Sequence, residues 1–357
     1  MKEHKENLSI QIKTQRVPSL SFFLSVSTLF KFVFLGFLVF FGCISAICLG
    51  SVNIPIQDVV TAILPFGEPA DSINEILLTQ VRFPRVLSAL FAGTGLSVAG
   101  LILQTLLNNT LAAPNIVGIN SGAGFGVILL AFLFPGQLLF APFAAFLGAF
   151  FACLLIAFLS YHAYVTKSTI LFAGIAVSSI FNSFSNLLLL LHPNITVEPF
   201  SFMLGSLSGI RMNHRLYLPL LFILLSLIAV RLFCRYLNAL SLGDTIAASL
   251  GIRVPLARIM FLILCAALAG SVVSFAGLLG FAGLIVPHIA RRFVGDNIKL
   301  LIPFTAMLGS FFVVVSDLIG RLLFRPYEVP VGIMMSFLGC PYFIYLLFRQ
   351  KGAQLHA

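Results

Sequence analysis

"IMFLILCAALAGSVVSFAGLLGFAGLIVP" (Ile259–Pro287) contains no charged residue. It is longer than the ~20 residues a helix needs to cross a bilayer. Gly277, Gly280 and Gly283 interrupt its second half, and glycines inside an apolar pattern mark a break or a close backbone approach. The run reads either as one long span or as two helices meeting at the glycines. The choice sets how often the chain crosses and on which side every later loop lies.

The rest of the chain is of the same kind. Of 357 residues, 60% are hydrophobic and only 9% charged, too little charge to cover a soluble protein of this length. Apolar runs recur from Ser19 to Phe348 without the strict alternation of a membrane barrel. The fold class expected is therefore all-α, a polytopic membrane protein. Its segments are predicted at 30–50, 86–107, 116–134, 138–160, 168–191, 216–234, 256–276, 278–294, 300–323 and 329–349. Residues 1–29 form an N-terminal segment, 30–350 the membrane domain and 351–357 a tail. The run Ser19–Leu49 is too long for a signal-peptide core, and reads as an uncleaved first span.

Cytoplasmic loops hold the excess of Lys and Arg, and this decides between one span and two. With ten segments and both ends inside, the inner set is Lys2, Lys5, Lys13, Arg16, Lys31, Lys167, Arg231, Arg235, Arg253, Arg258, Arg291, Arg292, Lys299, Arg349 and Lys351. The outer set is Arg82, Arg85, Arg211, Arg215, Arg321 and Arg325, a split of 15 to 6. Merging the two segments moves five bases out and two in, leaving 12 to 9. Ten segments fit better.

Small residues predict close helix packing. Gly118, Gly122 and Gly126 form a GxxxGxxxG stripe in the third segment, and Gly95 and Ala99 play a similar part in the second. The six cysteines fall in or beside apolar runs with no CxxC pair, and the histidines do not cluster. No metal site or disulfide framework is indicated.

Three polar features point to function. In the cytoplasmic loop 236–255, "SLGDTIAASLG" sets Ser241 three residues before Asp244, a capping-box pattern, and ends at Gly251, suited to a left-handed C-cap. A short helix over 241–251 is predicted, either an interfacial connector or a docking knob for a cytoplasmic partner. No lysine follows a glycine anywhere, so the chain has no Walker A motif and any ATPase must be a separate subunit. Second, Asp317 lies within an apolar segment, where an acid is by default an ion or proton site. Arg321 stands four residues on and offers a local ion pair instead. Third, Arg82 and Arg85 in "QVRFPRVLSALFAG" (80–93) fall outside, against the charge trend. They either snorkel at the interface or form a fork for a partner's carboxylates. In the outer loop 192–215, Phe200–Leu207 is expected to fold back toward the bundle.

Taken together, "VRFPRVLSALFAGTGLSVAGLILQTLLNNTLAAPNIVGINSGAG", "FMLGSLSG", "LSLGDTIAASLGI", "GFAGLIVPHIARRFVG" and "YEVPVGIMMSFLGCPYFIYLL" resemble, in the same order, the blocks of the FecCD family of binding-protein-dependent ABC permeases. That family includes iron–siderophore, haem and vitamin B12 importers. Two departures stand out: Phe202 replaces a common tryptophan, and Asn109-Thr110-Leu111 replaces Asn-Pro-Leu.

The resemblance implies a type II ABC importer permease in the cytoplasmic (inner) membrane of a bacterium. Its implied partners are a second permease subunit, identical or paralogous, two cytoplasmic ATPase subunits, an extracytoplasmic substrate-binding protein and membrane lipid, with no nucleic acid. The chain itself would be no enzyme and bind no cofactor, ATP and Mg belonging to the ATPase. Ser241, Leu242, Gly243, Asp244, Ala247, Leu250 and Gly251 would couple to that ATPase. Arg82, Arg85 and Arg321 would meet acids of the binding protein. The translocation path would be wide and mostly apolar. The implied cargo is an iron chelate, most often a ferric siderophore, with haem or vitamin B12 as alternatives. An ion-coupled secondary transporter using Asp317 is the rival of a different class.

Overall fold

The computed structural model describes residues 18–63, 72–115, 118–135, 137, 140–162, 167–192, 202–212 and 214–354. The predicted N-terminal segment before residue 18 and the sequence end 355–357 lie outside the described residues. Among those described, the regular structure is all helical. Helix α1 (Pro18–Cys48) leads to α2 (Ile56–Ile63) and α3 (Ser72–Ile76), and a π-helical turn, Leu77–Arg82, joins α3 to α4 (Phe83–Leu107). There follow α5 (Ile119–Leu133), α6 (Ala141–His162), α7 (Lys167–Leu191), α8 (His214–Leu232), α9 (Cys234–Ser241) and α10 (Asp244–Ser249). The chain continues through α11 (Val254–Ala276), α12 (Ala282–Val294), α13 (Ile298–Leu323) and α14 (Val331–Gln354).

Helices α1, α4 to α8 and α11 to α14 follow the ten predicted segments in order. Among the described residues, five stretches are long and apolar enough to cross a membrane alone: Thr28–Cys48, Ile73–Leu107, Phe172–Leu191, Val254–Ala276 and Ile298–Leu323. Helix α8 with α9, bent by 62°, adds a sixth. Helix α12 has 13 residues, about 20 Å at 1.5 Å per residue, against a hydrocarbon core of about 30 Å.

The uncharged run 259–287 is two helices. Helix α11 stops at Ala276 because Gly277 takes φ +71°, a left-handed value that glycine adopts without strain. The exposed ladder ends are closed by the loop that precedes α8. Leu278 N–H donates to the Phe202 carbonyl at 3.0 Å, Ser206 N–H to Ala276 at 2.9 Å, and Gly332 N–H to Gly205 at 3.1 Å. Irregular backbone at membrane depth is tolerated when protein groups pair with it in this way. Phe200–Leu207 thus folds back as expected from residue 202 onward, the part the structure describes. Phe202, in the tryptophan position, packs partly buried against the core.

Helix α4 is the hub, buried over most of its length. Gly93 meets the backbone of Gly309 on α13, and Gly100 that of Gly283 on α12, so closely that a Cβ at either would overlap the neighbouring carbonyl. Gly95 admits Val272 of α11, and Ala99 is fully buried. Gly122 and Gly126 pack on Gly148 and Ala144 of α6. Gly118 is a correction to the predicted stripe: it lies ahead of α5 as a turn residue with φ +80°, beside Gly174 and Ser178 of α7.

The π turn has a local cause. Pro84 has no N–H and its ring would clash with the carbonyl four residues back, so the ladder shifts register. Phe83 N–H accordingly donates to Leu78.

Candidate functional site

The bundle has two polar ends. At one, Arg82 of the π turn and Arg321 of α13 converge on the C-terminus of α1, with Arg85 of α4 paired to carboxylates beside them. Arg82 donates to the carbonyls of Leu49 and Val52, both at 2.8 Å. Arg321 donates to Ala46 at 3.0 Å and Leu49 at 3.2 Å. These carbonyls lie at or just past the end of α1, where helical partners run out and the helix dipole favours a cation. Arg85 grips Asp317 through Nε and Nη2 at 3.0–3.1 Å, and its Nη1 reaches Glu328 at 2.6 Å. Arg321 Nε lies 3.0 Å from the other side of Asp317, at ion-pair distance though off hydrogen-bond geometry. The Glu328 carboxylate also accepts from Ser51 at 3.3 Å. Burial alone would raise its pKa, but the Arg85 hydrogen bond and charge, with Ser51 and Arg321, hold it below the ordinary 4.5.

The predicted Asp317–Arg321 pair is therefore present, with Arg85 as a second partner. The fork expected to face a binding protein is not displayed. Arg82, Arg85 and Arg321 are only 6%, 6% and 1% exposed. The physical reason is the supply of acceptors: two carboxylates and the α1 terminus lie within reach, and a guanidinium left unpaired there would be costly. Sequence reading paired Asp317 with Arg321 from i,i+4 spacing. It missed Arg85 and Glu328 because those contacts span 232 and 243 residues.

The other end carries Lys31, whose Nζ donates to Phe293 at 2.8 Å, and Arg291, which donates to Gln104 of α4. Arg231 and Arg235 line one recess with Leu250 and Lys299. Arg82, Arg85 and Arg321 of the outer set and Lys31 and Arg291 of the inner set thus lie at opposite ends of the bundle.

Here α9, ending at Ser241, and the short α10 at Asp244–Ser249 form a knob, so the helix expected over 241–251 is present but shorter. Gly243, with φ +108°, caps α10, and no side chain caps it. The capping box is absent: Ser241 ends α9 and donates to Asn238 at 2.6 Å. Asp244 instead takes two hydrogen bonds from Arg258 Nη2, at 3.0 and 2.9 Å. A charged donor outcompetes a backbone amide for this carboxylate. The C-terminal reading holds, with Gly251 at φ +79°. Ile252 N–H bonds Ala247 at 3.2 Å and Gly251 N–H bonds Ala248 at 2.9 Å, the paired bonds of a Schellman motif. Ala247 is fully buried beneath α10, while Leu242, Ile246 and Leu250 stand 57%, 46% and 63% exposed. Ile246 and the C-cap Leu250, four residues apart, share one side of α10, and Leu242 precedes the Gly243 turn.

Between the two ends, beside the α11–α12 break, lies an open recess of about 530 Å³. Met203, Leu204, Leu278, Gly280, Ser336 and Phe337 are among its lining, which is mostly apolar.

Residues 37–349 match the FecCD transport family. The chain belongs to that family. It is 38% identical over 290 residues to the iron(3+)-hydroxamate import system permease protein FhuG of Bacillus subtilis, covering 77% of this chain and 84% of that one. It is 36% identical over 337 residues to the probable siderophore transport system permease protein YfhA of the same organism, covering 90% and 97%. The Fe(3+) dicitrate transport system permease protein FecD of Escherichia coli is 34% identical over 77% of this chain and 86% of its own. A solved chain described as a metal-chelate type ABC transporter in an inward-facing conformation superposes with a TM-score of 0.77 at 26% identity, covering 88% and 97%. The FecCD chain is thus a transport permease subunit with an ABC importer permease fold, built of apolar helices suited to a multi-pass membrane protein.

Proposed function

We propose that this FecCD chain is the membrane-spanning subunit of an ATP-driven importer that carries an iron chelate, most simply a ferric siderophore, across the cytoplasmic membrane of a bacterium. The supporting observation is the α9–α10 knob. It presents a ridge of leucine and isoleucine beyond the bundle, on a chain that has no nucleotide-binding motif of its own. A partner ATPase, holding ATP and Mg, would seat on this knob, and the knob and both termini would then face the cytoplasm. The iron(3+)-hydroxamate, siderophore and Fe(3+) dicitrate relatives favour an iron chelate over haem or vitamin B12. The recess beside the α11–α12 break would form one wall of the path, the other wall coming from a second permease subunit.

At the opposite end an extracytoplasmic binding protein would meet the rim, where Arg211 and Arg325 are exposed and Glu328 partly so. Arg82, Arg85 and Arg321 would set the shape of that rim from below. Asp317, held between two arginines, serves this brace better than it serves as a proton relay. The experiment is chelate uptake by proteoliposomes containing the permease, its ATPase and the binding protein. Uptake should need all three and ATP. Uptake driven by an ion gradient without the ATPase, and lost in Asp317→Asn, would overturn the proposal.

A further inference from the structure

We infer that Arg258 is a positioning residue for energy coupling: it ties α10 to the first turns of α11, so that displacement of the knob is passed along α11 to the break at Ala276–Ala282. The inference rests on the reading of the knob as the ATPase seat.

Helix α10 is six residues long and packs chiefly on α9 and α11. It is bounded by Gly243 and Gly251, both at positive φ and both with open space where a Cβ would be. The Schellman bonds fix the second of these turns but do not tie α10 to the body of α11. Two contacts do. One is Ala247, fully buried beneath the helix. The other is the Asp244–Arg258 pair, in which a single Nη2 forks to both carboxylate oxygens. The Arg258 side chain is only 12% exposed, and its Nε has no hydrogen-bond partner among the described residues. With its guanidinium largely enclosed, Arg258 has little freedom to follow Asp244 independently of α11.

Helix α11 runs 23 residues and is buried along much of its length, so it moves as a unit. From Arg258 to Ala276 it covers about 27 Å at 1.5 Å per residue. At its far end the Ala276 carbonyl accepts from Ser206, and the next residues carry the turn that lines the recess. A half-exposed pair such as Asp244–Arg258 adds little to global stability. Its effect is on where α10 sits.

The test uses the assembled importer in proteoliposomes, measuring ATPase retention, ATP hydrolysis and chelate uptake for Arg258→Gln, Asp244→Asn and the exchange Asp244→Arg with Arg258→Asp. Retention should stay at the parental level in Arg258→Gln. Chelate carried per ATP hydrolysed should fall about tenfold in both single variants, a typical size for coupling between sites, and the exchange should recover part of it. Arg258→Lys, which keeps the charge but loses the fork, should fall between. An unchanged transport-to-hydrolysis ratio in both single variants would overturn the inference, as would loss of the ATPase itself from Arg258→Gln. Ile246→Asp separates the two readings: if it too retains the ATPase, the seat is elsewhere and the underlying proposal fails instead.

Discussion

The two ends of the bundle hold similar residues and use them oppositely. At the Arg82–Arg85–Arg321 end, charges from α4, α13 and the 328 loop are turned inward, and each guanidinium meets a carboxylate or a helix-terminal carbonyl. At the α9–α10 end, a fully buried alanine anchors a small helix whose larger apolar side chains face away from the chain. The first end is closed within the subunit. The second leaves Leu242, Ile246 and Leu250 exposed. The contrast shows that residue type alone does not mark a contact surface: arginine, a favoured contact residue, is interior at one end, and leucine is displayed at the other.

The largest effect should come from opening the closed end. Arg85→Ala leaves Asp317 buried against Arg321 alone and frees Glu328. Breaking a buried pair in this way costs about 3–5 kcal/mol, which thermal unfolding in detergent would register as a large drop in Tm. Next, Gly100→Val would push α4 away from α12 at the Gly283 contact. A loss of roughly 1–3 kcal/mol is expected from such overpacking, by the same assay.

Glu328 gives a smaller, pH-dependent effect. Its folded pKa lies below the ordinary 4.5. The stability it contributes is therefore full above that ordinary value and is lost as pH falls through the folded one. Glu328→Gln should lower stability modestly at neutral pH, since a partly exposed carboxylate is screened, and flatten the profile below about pH 4.5, where the two proteins converge. Unfolding measured across pH 3–6 checks the sign; equal acid sensitivity in the variant would contradict it. The smallest stability effect belongs to the open end, where Ile246→Asp should shift stability by no more than about 0.5 kcal/mol.

Much of this contrast was legible from local pattern. The all-helical class, the order of the helices and the separation of Arg85 from Arg291 followed from hydropathy and charge, because both act along the chain. Gly251 was legible because a C-cap is a local device, and the glycines at 277–283 marked the break for the same reason. What closes the break was not, since Phe202, Ala276 and Gly332 are brought together only by folding. The same holds for the arginines: their orientation depends on acceptors more than 200 residues away for Arg85, and on the end of α1 for Arg82 and Arg321. Ser241 misled because the capping-box pattern is also satisfied by a residue that ends one helix before another begins. Asp244 was singled out correctly, but its partner Arg258, 14 residues on, carries no sequence mark of the pairing.

The contrast between the ends is tested most directly by copurifying the ATPase with the Ile246→Asp permease while recording the permease's own Tm. The account predicts an unchanged Tm and loss of the ATPase. Retention of the ATPase at parental affinity, with the permease still folded, would contradict it.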